Sequence, residues 1–381
     1  MLALREAALP SPARMQTGTG AEARPAAPGR IIALDGLRGA AALLVVAAHY
    51  LGEVPGGIDG LTLGWVGVGV FFTLSGFLLG SVALEHRGAP NFVRVFLLRR
   101  TARILPVYAV VVGTTLIGLA ALAGRPWVDA PLPPLAYATF TQNIAMATMG
   151  TTGSLWLVPT WTLAVEQQFY LLLPFAILAV PPARMPLLIG LGLLAGPAVR
   201  LGLILSGAGP LAGLVLLPAQ ADLLVAGIGA AWLARSGAAA RLPLAALRAA
   251  PLGATLAILA LAIGPSDAAL AVLRPTLVAL GAAGLILSLV RGAPEARTYR
   301  ARWLCGAGTI SYGLYLVHQP VAGWLHGMLL DRRPGLDTTG GCAVTALALA
   351  LSVGLAALSW RWLEAPILRR AQAWRFEARR R

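Results

Sequence analysis

The chain has 381 residues, of which 58% are hydrophobic and only 12% charged, against the roughly 25% charged share of a soluble domain. That balance excludes a water-soluble globular protein. The net charge of +15 does not indicate a nucleic-acid partner, because the basic residues, all arginine, gather in short segments between long apolar runs.

The first 30 residues are rich in Ala, Pro, Gly and Arg and lack the apolar run of a cleaved signal, so residues 1–30 read as a disordered cytoplasmic tail. Apolar stretches then recur at close to the roughly 20-residue length that crosses a bilayer core about 30 Å thick. They lie at about 31–50, 63–83, 104–123, 158–180, 187–205, 213–234, 250–264, 271–290, 303–327 and 342–363. Backbone groups in lipid must be bonded within each segment, so the fold class is all-α: a polytopic membrane bundle of about ten helices. No appended soluble domain is expected, and residues 369–381 read as a basic cytoplasmic tail. The arginines fall almost entirely on the loops that share a side with the N-terminus, which places both termini in the cytoplasm. The arginine-only basic set, with abundant Ala and Gly, suggests a GC-rich bacterial genome and hence the bacterial inner membrane. Between residues 124 and 157, Pro131, Pro133 and Pro134 precede a short, weakly apolar stretch. A full crossing there would invert every later loop, so this segment is expected to lie over the outer side or to re-enter.

Ionisable residues inside spans are costly and are functional candidates by default. The first span holds Asp35, Arg38 and His49. On a regular helix Arg38 and His49 return to within roughly 20° of one face, about 16 Å apart; His49 either faces a groove or caps the outer helix end, and Asp35 most simply pairs with Arg38. The fourth span carries Trp161 and Glu166, with Glu166 roughly 12 Å from the outer end, a depth that matches His49. Glu166 is read equally as partner to His49 and as a structurally bonded carboxylate. The ninth span carries Tyr312 and His318 ahead of Pro320, and the more economical reading of His318 is a hydrogen-bonded packing residue. Arg361 and Glu364 suggest a local ion pair. Before the third span, Arg94, Arg99, Arg100 and Arg103 occupy one short loop. Guanidinium binds phosphate bidentately, so the loop suits a polyphosphate such as that of coenzyme A, though topology and anionic membrane lipid explain the same residues. Cys305 and Cys342 have no metal-site spacing, and no metal is expected.

Several motifs, in order, resemble the acyltransferase 3 family of integral membrane acyltransferases. They are Leu34 to Gly39 followed by His49, Gly67 to Phe77, the arginines ending at Arg103-Ile104-Leu105-Pro106, Trp161 to Tyr170, the span of Asp222, Ser311 to Pro320, and Trp362 to Pro366. The resemblance covers residues 31–368. It implies transfer of an acyl group, acetyl in the first instance, from cytoplasmic acyl-CoA to a hydroxyl of a sugar-containing acceptor. It also implies that Arg38 and His49 are the family's spaced Arg and His. The sequence departs from the family at Gly69, Gln167 and Gln220, where the family usually carries an acid, a second Glu and an Arg. On this reading His49 is the general base, Glu166 orients it or binds acceptor, Arg38 supports the donor or oxyanion, and Arg94, Arg99, Arg100 and Arg103 hold the donor phosphates. Asp35, Ser75, Trp161, Asp222, Tyr312 and His318 complete the site candidates; an acyl-enzyme on Ser75 is the minor route. The competing class is a transporter or flippase of a glycan or small molecule, which also has buried charges and proline-broken helices but shows repeat symmetry between halves.

Overall fold

The computed structural model describes residues 31–263 and 267–377. The tail expected at residues 1–30 and the last residues of the basic tail therefore lie outside the described residues.

Helix α1 runs Ile32–Ala47 and continues as a π-helical turn, Ala48–Gly52. It is followed by α2, Gly64–His86, and α3, Phe92–Ala121. Two short helices, α4 (Pro134–Ala138) and α5 (Gln142–Met149), precede α6, Thr160–Ala179, and α7, Met185–Leu205. Next come α8 (Pro210–Val215), α9 (Ala221–Arg235), α10 (Leu244–Ile263), α11 (Asp267–Val290) and the short α12 (Ala296–Tyr299). The chain closes with α13 (Arg302–Leu330), α14 (Thr339–Ser359), a second π turn at Trp360–Glu364, and α15 (Ala365–Ala371). Nine helical stretches among the described residues are long and apolar enough to cross a membrane. The remaining long helix, α13, has 29 residues and falls outside that set because its sequence alternates apolar residues with Ser, Thr, Tyr, His and Gln. Together these match the bundle expected from hydropathy.

Helices α1 and α13, α2 and α9, and α10 and α11 pack most extensively. A Cβ at Gly39 would strike the Leu304 carbonyl, and one at Gly227 would strike the Thr73 carbonyl. Small residues let backbones approach in this way, which is the main source of packing energy where lipid removes the hydrophobic drive.

Three sequence readings are corrected. The arginines before the third span are not on a loop: α3 begins at Phe92, with Phe92, Val95 and Phe96 buried on one face. Arginine is a good helix former, and a 30-residue helix is about 45 Å long, so its first turns extend beyond an apolar layer about 30 Å thick. The sixth span is shortened, because Pro218 opens a 3-10 turn at Leu217–Gln220 and residues 213–215 belong to α8. The seventh starts earlier, at Leu244, and Arg248 reaches Glu295 at 3.0 Å from its first turns.

The segment 124–157 does not cross. Its helices have 5 and 8 residues, and its indoles anchor it to α13: Trp127, Trp156 and Trp324 form a run of rings with centroids 6.1 and 5.9 Å apart. Trp127 Nε1 donates to Asp331 at 2.8 Å. At the opposite end, the segment after α15 lies against α3, where Arg99 bonds the Trp374 carbonyl through Nε at 2.9 Å and stands 5.0 Å from the Phe376 ring centroid.

Candidate active site

A cavity of about 120 Å³ lies between α1, α2, α3, α6 and α13. One face of α2 lines it through Val68, Phe71, Phe72, Ser75, Leu78 and Leu79, the i, i+3, i+4, i+7 spacing of a helical stripe. Arg38, Arg100 and Arg103 enter it against a single carboxylate, Glu166. Asp35 and Glu364 stand behind Arg38 and Arg103, so what the cavity offers is three guanidinium groups converging on one space, the fork geometry that suits an anionic ligand.

The four arginines of α3 divide by helical phase. Arg100 and Arg103 line the cavity, Arg99 turns to Trp374, and Arg94 is exposed. Arg103 lies 5.7 Å from the Tyr312 ring centroid and 3.8 Å from Glu364. Glu364 is therefore the partner of Arg103 and not of Arg361, which is exposed. The π turn at Trp360–Glu364 changes the phase between these two residues, so the three-residue spacing no longer places them side by side. Tyr312 spans the same region and donates its hydroxyl to the Ile104 carbonyl at 2.7 Å.

Glu166 is held by two hydroxyls, from Ser75 at 2.6 Å and from Tyr170 at 2.8 Å. Tyr170 is one helical turn from Glu166 on α6, a partner that the spacing in the sequence contains but that was not singled out. Asp35 stands 3.6 Å from Arg38, the pairing expected.

His49 is not partnered by Glu166. The regular helix of α1 ends at Ala47, and His49 and Tyr50 sit in the π turn, so α-helical phase does not carry from Arg38 to His49. His49 Nδ1 lies 2.8 Å from His318 Nε2, and the two rings are within 5° of parallel with centroids 5.1 Å apart, an in-plane N–H···N geometry. His318 Nδ1 is 3.1 Å from the Leu314 carbonyl. A carbonyl only accepts, so Nδ1 of His318 carries the proton. Its Nε2 then accepts from Nδ1–H of His49, which leaves the lone pair of neutral His49 on Nε2. That nitrogen faces Glu53 Oε2 at 3.5 Å. Glu53 is exposed, but partial desolvation pushes its carboxyl above the usual carboxylate range. Tyr50 braces the pair by donating to the His318 carbonyl at 2.6 Å and meeting Ser352 at 3.0 Å. His318 is wholly buried, as a packing residue would be, but its bonds run directly to His49. Tyr315, whose ring centroid is 5.9 Å from that of His318, bonds Thr162 at 3.0 Å, and both Tyr315 and Thr162 line the cavity. The histidine pair thus stands behind Tyr315.

Two candidates fall outside this group. Asp222 is fully buried and takes Arg200 at 2.7 Å and the Thr276 hydroxyl at 2.6 Å, an internal bond set joining α7, α9 and α11. Trp161 is buried edge-on against Phe72, with centroids 5.9 Å apart, and faces a different cavity.

A membrane-embedded helical bundle with a cationic, carboxylate-bearing cavity next to a relayed histidine defines a class of integral membrane enzyme. The family model described as an acyltransferase domain, of the acyltransferase 3 type, matches residues 31–360, and the chain belongs to that family. It is similar to the peptidoglycan O-acetyltransferase OatA of Listeria monocytogenes, 26% identical over an alignment of 362 residues, with 88% of this chain and 55% of that protein covered. The chain therefore spans about half the length of that relative. It is also similar to the exopolysaccharide production protein ExoZ of Rhizobium meliloti, 30% identical over 333 residues, 83% of this chain and 93% of that protein. No solved structure matches significantly.

Proposed function

We propose that the protein transfers an acyl group, acetyl in the first instance, from acyl-CoA to a hydroxyl of a carbohydrate or glycosylated acceptor at the bacterial inner membrane. The names of the two relatives, one an O-acetyltransferase of peptidoglycan and one concerned with exopolysaccharide, support a sugar acceptor. The observation that carries the donor is the convergence of Arg38, Arg100 and Arg103 on one cavity with a single carboxylate.

Arg100 and Arg103 hold the donor's phosphates near the basic ends of the helices, and the thioester enters between α2, α6 and α13. The same ends collect Arg87, Arg184, Arg235, Arg241, Arg291 and Arg302; by the positive-inside rule this side is cytoplasmic and both termini share it. The acceptor oxygen, approaching past Tyr315 from the His49 side, attacks the thioester carbonyl carbon, and its proton goes to Nε2 of His49, which lies outside the cavity lining. The C–S bond then breaks, the acyl group stays on the acceptor, and the thiolate leaves to take up the proton. Arg38 stabilises the negative charge on the carbonyl oxygen. His318 fixes the tautomer of His49, and Glu53 faces the imidazolium as it forms.

A second reading rests on the 2.6 Å bond from Ser75 to Glu166. Ser75, deprotonated by Glu166, would take the acyl group first and pass it to the acceptor. Incubation of purified protein with radiolabelled acetyl-CoA tests both. Base-labile label on a glycan pool supports transfer, and label trapped on wild-type protein but absent from Ser75→Ala supports the serine route. Label that never leaves acetyl-CoA, with any glycan offered, overturns the proposed function and leaves transport as the reading to pursue.

A further inference from the structure

Beyond Val68, toward the N-terminal end of α2, a second cavity of about 350 Å³ opens between α2, α7, α8, α9 and α11. This is within the roughly 300–1,000 Å³ of small-molecule sites. Val68 lines both cavities, and Trp161, beside Thr162 and Leu163 of the first, lines the second.

Most polar groups in its wall are already committed. Arg200 is bound to Asp222 and to the Ala219 and Val272 carbonyls, and the Gln220 amide donates to Gly213 and Leu214 carbonyls. Arg274 is different. Its guanidinium lies 4.6 Å from the Trp65 ring centroid, and it forms no ion pair with any described residue. A partly buried guanidinium in a membrane bundle is costly without a counter-charge, and its planar fork matches a carboxylate or phosphate. Trp65 and Trp161 add indole faces, amphipathic platforms for the C–H face of a sugar ring. Apolar faces with one cation that has a π contact but no ion pair among the described residues suit an anionic ligand that also has an apolar surface.

Resting on the acyl-transfer reading, we propose that this cavity seats the acceptor and that the acceptor is an anionic carbohydrate. Its ring lies against Trp65 and its carboxylate or phosphate substituent is held by Arg274. The shared wall at Val68 sets its hydroxyls beside the donor cavity, on the side away from Arg100 and Arg103.

The test needs no donor, so it is independent of turnover. Protein in phosphatidylcholine nanodiscs is titrated with methyl β-glucuronide and with methyl β-glucoside, followed by tryptophan fluorescence. The wild type is expected to bind the glucuronide about tenfold tighter, the value of one charge-assisted bond. Arg274→Gln should bring the glucuronide down to the glucoside, Arg274→Lys should keep a preference, and Trp65→Ala should weaken both sugars. Size-exclusion profiles check that each variant is folded. Equal binding of the two sugars by wild type, binding of neither, or a preference that survives Arg274→Gln overturns the proposal. A lipid phosphate offers the same anion chemistry, so the titration is repeated with phosphatidylglycerol in the nanodiscs. A preference that persists supports the glycan, whereas one that disappears assigns Arg274 to lipid and overturns it. Thiol release from acetyl-CoA, measured on the same preparations, shows separately whether the transfer reading holds.

Discussion

Neutral His49 offers a lone pair at one nitrogen only, because the Leu314 carbonyl forces the protons of both imidazoles into a fixed order through His318. His318→Ala is therefore expected to cut turnover, while His318→Gln, whose amide oxygen accepts from Nδ1–H of His49, retains a larger share; steady-state rates with matched protein levels decide this. Glu166→Gln replaces one of the two oxygens that accept from Ser75 and Tyr170 with an amide donor and is expected to reduce activity and to lower the unfolding temperature, since one buried bond is lost. Glu53 gives a pH signature. Its carboxyl is raised by partial desolvation, so the folded state holds the proton more tightly than the unfolded one. The resulting stability is present below the unfolded value and is lost as pH rises through the folded one. The unfolding temperature of wild type should thus fall with rising pH just above the ordinary carboxylate range, and Glu53→Gln should flatten that part of the curve. Arg38, His49, Glu166 and Ser75 were all visible in the sequence as polar residues inside apolar runs. The partner of His49 was not, because matching depth placed it with Glu166 and only the fold shows that α13 supplies the nearer partner.

At the scale of elements, two π turns account for the departures from helical arithmetic, one carrying His49 and the other Glu364. Periodicity assumes a constant phase, and an inserted residue in a turn leaves no mark on hydropathy, so neither was legible beforehand. Helix α3 sorts its arginines in the same way. Arg100→Gln and Arg103→Gln are expected to raise the KM for acetyl-CoA by about tenfold each, the loss of a charge-assisted bond, whereas Arg94→Gln should leave it unchanged. Measured donor KM values that rise equally for Arg94→Gln would contradict the division of faces. The crossing of α2 and α9 depends on Gly227, where any side chain meets the Thr73 carbonyl. Gly227→Leu is expected to abolish the monodisperse peak on size exclusion, and a normally folded Gly227→Leu protein would refute that crossing.

For the whole molecule, hydropathy was enough to find the helices long and apolar enough to cross, because a bilayer imposes one length on every span. The neighbours of each helix were a different matter. α1 meets α13 across most of the chain length, and that contact, which closes the site, depends on glycine positions with no hydropathy signal. The polar composition of α13 follows from its place: it gives Tyr312 and Tyr315 to the cavity wall and His318 to His49. We propose above that this bundle is an acyl-CoA-dependent transferase with His49 as its base. The most direct measurement is release of free thiol from acetyl-CoA by purified protein in nanodiscs, with wild type and His49→Ala matched for folding. Thiol release by the wild type that falls by on the order of 10²- to 10⁴-fold in His49→Ala is the expected result. Turnover that survives the substitution, or a wild type that neither turns over nor binds acetyl-CoA, would contradict it.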